Sequence, residues 1–435
     1  MTNFSELYRS KLTTADALAL RVEDGWTLGM DAALAQTPGI ISAIAERAKK
    51  DELHGVKVQT LLDVYPFAFY ADSSLSGKLN GVSWFSSGGA RKAVNEGYAD
   101  FIPSYYRDIP KLIRSFYEYD AFCVSVSPMD KHGYFSLAAT SSYSEAMRSK
   151  AKRVFLEVNK YQPRAVCGTQ IHISQVDALI ENDQSLPVLP PAKLDEVSIT
   201  IGNLIAEQIP DGACIQLGIG AIPDATGMAL KAKHDLGIHT EMFTDSMVEL
   251  IQCGAVNNSK KQIHRGKSVT TFAYGSQRIY DYIDDNPAIE LLPVDYVNDP
   301  NVICQNDNMI SINAALEVDL WGQVCAESVG TKHMSGSGGQ IDYVRGACQS
   351  KGGKSFIAFS STAKGGTISK IKPILTPGAV CTTSKNDVDY IVTEYGLAHL
   401  RGQSLAERAR QLIAIAHPDF RDELSFEAKK RGIMI

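Results

Sequence analysis

The stretch ACIQLGIGAIPDATGMALKAKHDLGIHTEMFTD, Ala213 to Asp245, sets the fold class. ACIQLG (213–218) is a short apolar run ending in glycine, which reads as a buried strand. GIGAIP is a tight, glycine-rich loop. Segment 223–235 has helical composition, with Pro223 placed at the first helical position, where a missing N–H costs nothing. Gly237 closes the helix, and IHTEMFT reads as the next strand. Strand, loop, helix and strand in succession form the repeating unit of a parallel α/β sheet.

The same order occurs near the start of the chain. WTLGM (26–30) reads as a strand, PGIISAIAERAKK (from Pro38) as a helix, and VKVQTLLDV (56–64) as the following strand. Two halves with one grammar predict an α/β fold of two related domains with mainly parallel sheets. Three prolines in SLPVLPPAKLDE (185–196) mark the boundary, giving an N-terminal domain at 1–188 and a C-terminal domain at 189–435. DEVSITIGNLIAEQIPDGA then opens the second domain as an amphipathic helix.

The bulk numbers agree with this division. A chain of 435 residues exceeds one typical domain, and 44% hydrophobic content supports a sizeable core. Lys plus Arg is 43 and Asp plus Glu is 49, a formal charge of −6, with no long basic run. Nucleic acid and anionic membranes are poor partners for such a surface. The N-terminus, MTNFSELYRSKLTT, lacks the apolar segment of a signal peptide or anchor. Eight scattered cysteines form no CxxC motif. A soluble, reduced, cytoplasmic protein is expected.

Several loops invite a ligand. Gly218-x-Gly220-x-x-Pro223 puts proline where the dinucleotide fingerprint needs its third glycine, although Glu241 loosely fills the acidic position about twenty residues on. Its two glycines still let backbone N–H groups approach a ligand, and a helix N-terminus favours a negative group. A plain strand-to-helix turn explains the same spacing. GGKS (352–355) fails as a P-loop, because Cys348 stands where the motif needs glycine. SGSGGQIDYVRGA (335–347) has an open backbone at Gly336, Gly338 and Gly339, suited to an anion nest, an oxyanion hole or a flexible turn. Asp342 and Arg345 follow on a helix start. Asp387, Asp389, Glu394 and Arg401 read either as catalytic or as a salt-bridged surface. His172 and His239 have no metal-ligand spacing, so no metal is expected. No G-x-S-x-G elbow is present.

Taken together, IQLGIGAIPDA with HTEMFTD resembles the active-site region of the acetyl-CoA hydrolase/transferase family, and within it the 4-hydroxybutyrate and butyrate-type CoA-transferases. The resemblance extends through VSPMDKHGYFSLAATSSYS (126–144), EVNKYQPRAVCGTQIHISQVD (157–177), INAALEVDLWGQV (312–324), GQIDYVRGACQSKGGKSFIAF (339–359) and VTEYGLAHLRGQSLAERARQLIAIAHPDFRDEL (392–424). It implies two α/β domains with the active site in the cleft between them. It makes Glu241 the nucleophile, with Asn298 close to it. It assigns Gly218, Ile219, Gly220, Ala221 and Ile222 to the loop along the CoA thioester arm. Asn313, Gly336, Gly338 and Gly339 fall near CoA and the thioester oxygen, with Gly338 as an oxyanion donor, and Lys354 joins the CoA-binding set. No cofactor is held tightly; coenzyme A is substrate and covalent carrier, and short carboxylates are the other substrates. A homodimer is expected from base rates.

The chemistry of such a transferase accounts for a carboxylate beside Met242 and Phe243. Attack by Glu241 on an acyl-CoA expels CoA thiolate and leaves a mixed anhydride. The thiolate then takes the glutamyl carbonyl, giving an enzyme–CoA thioester. A partly dry setting makes a carboxylate more nucleophilic than it is in water. The alternatives are a short-chain acyl-CoA hydrolase using the same glutamate and a non-catalytic CoA or sugar-phosphate binder, for which the glycine loop would matter but Glu241 would not.

Overall fold

The computed structural model describes residues 4–137 and 139–434. Contacts divide the chain into two compact units. Unit 1 comprises Met1–Pro190, Glu241–Phe243 and Val269–Val297; unit 2 comprises Pro191–Thr240, Thr244–Ser268 and Asn298–Ile435. The sequence reading assigned everything after residue 188 to one domain. The contacts instead group the Glu241 segment and 269–297 with the N-terminal part: segment 271–273 hydrogen-bonds to Ala139 and Ser141 and bridges Thr140, and Met242–Phe243 pairs in parallel with Phe272–Ala273.

Unit 1 is built on a seven-stranded sheet in the order Asp100–Phe101, Leu79–Ser83, Val56–Thr60, Thr27–Met30, Ala121–Val126, Val154–Val158, Ala178–Glu181. Every pairing in it is parallel. All six residues of Ala121–Val126 are buried, as expected for a sheet covered on both faces. The helix Pro38–Lys49 starts on proline, and no side chain of its own caps it. Buried Glu157 does this instead, accepting from the N–H groups of Gly39 at 3.2 Å and Ile40 at 3.0 Å. A carboxylate at a helix N-terminus is favoured by the macrodipole.

Unit 2 has a six-stranded sheet in the order Gly237–Ile238, Cys214–Leu217, Met309–Ala314, Lys354–Ala358, Tyr390–Thr393, Gly396–His399. The first five strands are parallel and the last is antiparallel. The helix Glu196–Glu207 packs on the helix Ala221–Ala229 with Gly202 at the crossing: a Cβ there would come within 2.8 Å of the backbone of Ala225 and Thr226. That close approach fixes the helix that follows the glycine loop.

Three local expectations change. The helix begins at Ala221, two residues before Pro223, and ends at Ala229 in a short 3-10 turn; Gly237 belongs to the next strand. IHTEMFT is two separate strands, Gly237–Ile238 and Met242–Phe243, with Glu241 at a bend. VKVQTLLDV pairs only over Val56–Thr60.

In both sheets the chain runs first to one side of a strand and later to the other. The reversal lies between Thr27–Met30 and Ala121–Val126 in unit 1, and between Cys214–Leu217 and Met309–Ala314 in unit 2. The carboxyl ends of strands at such a reversal leave a crevice, the usual ligand position in open α/β sheets.

Candidate active site

In unit 2 the reversal point gathers most of the glycine-loop residues. Gly218 directly follows Cys214–Leu217, and its N–H donates to the Ile312 carbonyl at 2.9 Å. A Cβ at Gly218 would lie 3.3 Å from that carbonyl oxygen and 4.0 Å from the Asn313 Cα. Ile219 and Gly220 are exposed, and Gly220 has φ +116° with open space where a Cβ would be. Ala221 and Ile222 begin the helix, which no side chain caps.

Asn313 is the penultimate residue of the neighbouring strand and faces Gln216. The Gln216 Nε2–Asn313 Oδ1 and Asn313 Nδ2–Gln216 Oε1 distances are 3.4 and 3.3 Å, and Gln216 Oε1 also accepts from the Ile312 N–H at 3.2 Å. Sequence reading missed Gln216; a polar residue in the otherwise apolar strand CIQL is the signal that marks it.

The loop through Gly336, Gly338 and Gly339 reaches the same edge. Gln340 Nε2 donates to the Ala314 carbonyl at 3.4 Å, at the start of the helix Gln340–Gln349, which also lacks a side-chain cap. Gly338 has φ +54°, within the left-handed region that favours glycine. Buried Glu327 anchors the loop. Its carbonyl accepts from the Met334 N–H at 2.9 Å, and its carboxylate accepts from Ser337 Oγ at 3.3 Å and Thr382 Oγ1 at 2.9 Å. Two helix N-termini and an open backbone thus meet at one sheet edge, a setting for a negatively charged or carbonyl-bearing ligand.

Lys354 is not part of this group. It opens its strand in register with Ile310, whereas Asn313 pairs with Ile357, so it lies toward the opposite edge of the sheet. Its Nζ donates to the Gln208 carbonyl at 3.1 Å, at the C-terminus of the helix Glu196–Glu207, where a cation is favoured. Other polar residues of the C-terminal segment also have structural partners. Asp387 pairs with Arg345 at 3.0 and 3.2 Å, Asp389 accepts from the Ser355 N–H at 3.1 Å, and Glu394 accepts from the Ser361 N–H at 2.8 Å. Asn298 is fully buried between the short helices Val294–Val297 and Pro300–Ile303.

In unit 1, Glu241 is half-buried. Its backbone carbonyl accepts from the Thr271 N–H at 3.0 Å, the Phe272 N–H at 3.3 Å and Thr270 Oγ1 at 2.9 Å. The following Met242 and Phe243 are buried, and Phe243 stacks on Tyr282 with ring centroids 6.4 Å apart. Sequence reading did not anticipate a buried polar group in the same unit. Asp31, directly after Thr27–Met30, is completely buried, accepts from the Ala32 N–H at 2.6 Å and is bonded by Ser144 Oγ. Burial pushes its carboxyl up to about 6 against the hydrogen bonds from Ser144, Ala32 and Ser142. Tyr106 is also buried, and its hydroxyl is 2.6 Å from Ser142 Oγ. Burial, then the negative charges of Asp31 and Glu241, hold the Tyr106 phenol well above its ordinary range.

Among the described residues, no group of three or more His, Cys, Asp or Glu side chains could hold a metal, and no helix is long and apolar enough to cross a membrane.

Comparison with known proteins places this architecture. Residues 1–190 match the acetyl-CoA hydrolase/transferase N-terminal domain and residues 275–428 the C-terminal domain of the same family. The chain belongs to the acetyl-CoA hydrolase/transferase family. It is 47% identical to succinyl-CoA:cyclohexane-1-carboxylate CoA transferase of Geobacter metallireducens, over 98% of this chain and 97% of that protein. It is 43% identical to 4-hydroxybutyrate coenzyme A transferase of Clostridium kluyveri, over 98% and 99%. The crystal structure of RipA from Yersinia pestis matches with a TM-score of 0.95 at 40% identity, covering 100% of both chains.

Proposed function

We infer that this protein is an acyl-CoA:carboxylate CoA-transferase that moves CoA between a short-chain acyl-CoA and a carboxylate such as acetate, with 4-hydroxybutyrate or butyrate as the partner acid. The observation that carries the reading is Glu241, a half-buried carboxylate on a backbone held by three donors and followed by two buried apolar residues. A nucleophile fixed in place needs little reorganisation to attack.

In the proposed reaction a Glu241 carboxylate oxygen bonds to the acyl carbonyl carbon, and the C–S bond breaks to release CoA thiolate. The thiolate then bonds to the glutamyl carbonyl carbon, and the acyl carboxylate leaves. A second carboxylate enters, and the same steps run backwards. The loop from Gly218 to Ile222, Asn313 and the loop of Gly336, Gly338 and Gly339 take the CoA arm and the thioester oxygen. Gly338 is the proposed oxyanion donor, Asn298 is proposed to attend the glutamate, and Lys354 falls outside the set. Binding along the long CoA arm offsets the high energy of the anhydride. The protein acts as a cytoplasmic homodimer in this reading.

Incubation with acetyl-CoA and either butyrate or 4-hydroxybutyrate, with mass spectrometry of the products, tests the substrate assignment. Butyryl-CoA or 4-hydroxybutyryl-CoA formed together with acetate supports it. Free CoA and acetate without a new thioester would make the protein a hydrolase.

A further inference from the structure

We infer that Asp31 is a positioning residue for the nucleophile: through Ser142 and Tyr106, and through the backbone of 139–142, it fixes the segment that carries Glu241. The inference rests on Glu241 as nucleophile.

Two routes connect these residues, both within unit 1. The first runs through side chains. The Tyr106 hydroxyl meets Ser142 Oγ at 2.6 Å, and Ser142 stands close enough to Asp31 to favour its ionised form. The Tyr106 ring then stands edge-on to Phe272, with centroids 6.2 Å apart and planes at 70°. Phe272 pairs with Met242, next to Glu241, and its N–H bonds to the Glu241 carbonyl.

The second route is backbone. Ser144 Oγ donates to Asp31, which ties the turn after Thr27–Met30 to the start of the helix Ser144–Lys150. The preceding residues lie against the strand beside Glu241. The Ala273 N–H donates to the Ala139 carbonyl at 2.8 Å, the Ser141 N–H donates to the Thr271 carbonyl at 2.9 Å, and Thr140 bridges Phe272. The Thr271 N–H in turn bonds Glu241 at 3.0 Å. A carboxyl buried at a sheet reversal point is costly to keep unless its hydrogen bonds organise something; here they organise the ladder under the nucleophile.

This arrangement has a pH signature. The accepting, ionised form of Asp31 takes the hydrogen bonds from Ser144 and Ala32, so the relay loosens as pH falls through about 6. The titratable groups coupled to it are Tyr106 and Tyr143, with Glu241 acting on Tyr106 and Asp63 on Tyr143.

The test uses Asp31→Asn, Tyr106→Phe and the double variant, each shown to fold by circular dichroism and melting. Steady-state kinetics are measured across pH, with single-turnover formation of the Glu241–CoA adduct. Asp31→Asn should lower kcat by roughly 100-fold, the cost of a slightly misplaced reacting group, with KM for acyl-CoA little changed. It should also lose the activity decline near pH 6. Tyr106→Phe should fall in the same direction by a smaller factor, and the double variant should be no worse than Asp31→Asn, because the two act on one path. Should Asp31→Asn not fold, Tyr106→Phe decides alone. Wild-type kcat and pH profile in the folded variants, or a rise in KM without loss of kcat, would overturn the inference. Adduct on wild-type Glu241 with unchanged formation rates in the variants would overturn this inference alone; no adduct in the wild type would overturn the nucleophile assignment beneath it.

Discussion

Gln216 and Asn313 are the penultimate residues of adjacent strands, with their side-chain amides facing each other at 3.4 and 3.3 Å for the two N–O pairs. These are long hydrogen bonds, weak enough to yield to a better partner. Each amide nitrogen has two N–H donors and the pairing uses only one, so each has a second donor for a ligand at the reversal point. Gln216→Ala is therefore expected to lower kcat by roughly 100-fold, as loss of an oxyanion donor does elsewhere. An activity assay with a melting curve checks it; unchanged kcat would leave the pair a purely structural one.

Gly220 has φ +116° and nothing within 4 Å of an added Cβ, so crowding within the protein does not explain the glycine. The backbone angle does. Gly220→Val is expected to cost about 1–3 kcal/mol in backbone strain and to weaken CoA binding in calorimetry. CoA affinity equal to wild type, in a folded variant, would reduce the loop to a turn.

Lys354 provides the opposite prediction. Its ammonium binds the Gln208 carbonyl at the far edge of the sheet. Lys354→Met is expected to leave the Kd for CoA unchanged and to cost roughly 1 kcal/mol of stability, about one hydrogen bond with a helix end. A severalfold weaker Kd would return this lysine to the CoA site.

Asp31 and Asp63 give the pH dependence of stability. Burial raises Asp31 from 3.8 to about 6 and Asp63 from 3.8 to about 7. Both folded values lie above the unfolded one, so the folded state holds these protons more tightly. Their stabilising contribution is full below the unfolded value and is lost as pH rises through the folded ones. For Asp31 the difference is on the order of 3 kcal/mol. Denaturant melts from about pH 4 to 8 should show a shallower decline for Asp31→Asn than for wild type, the remaining decline including Asp63. An identical slope would show that Asp31 does not titrate in this window.

Periodic apolar runs and glycine punctuation were enough to read the parallel strands, the helix Pro38–Lys49, the start of the helix Gln340–Gln349, and the glycine loop from Gly218 to Gly220 ahead of the helix Ala221–Ala229. These features are local, and a single sequence carries them. What it does not carry is pairing across the chain. The strand beside Glu241 comes from 272–273, so no local pattern reveals that Met242–Phe243 leaves the strand Gly237–Ile238 and joins another unit. Asp31, Tyr106 and Ser142 are far apart in sequence and look ordinary there; only folding makes them neighbours. The resemblance puts Lys354 in the CoA-binding set, while its register with Ile310 puts it at the opposite end of the sheet from Asn313, a pairing that no local pattern carries.

The most direct measurement of the central claim is peptide mapping of the enzyme after mixing with acyl-CoA alone. A transferase with Glu241 as nucleophile should accumulate one CoA adduct on the peptide containing Glu241 and then stall, since no acceptor carboxylate is present. Addition of acetate should discharge the adduct as acetyl-CoA, and Glu241→Ala should form no adduct and lose several powers of ten in kcat. An adduct on another residue, full activity in Glu241→Ala, or steady release of free CoA at the same rate with and without acetate would contradict the account.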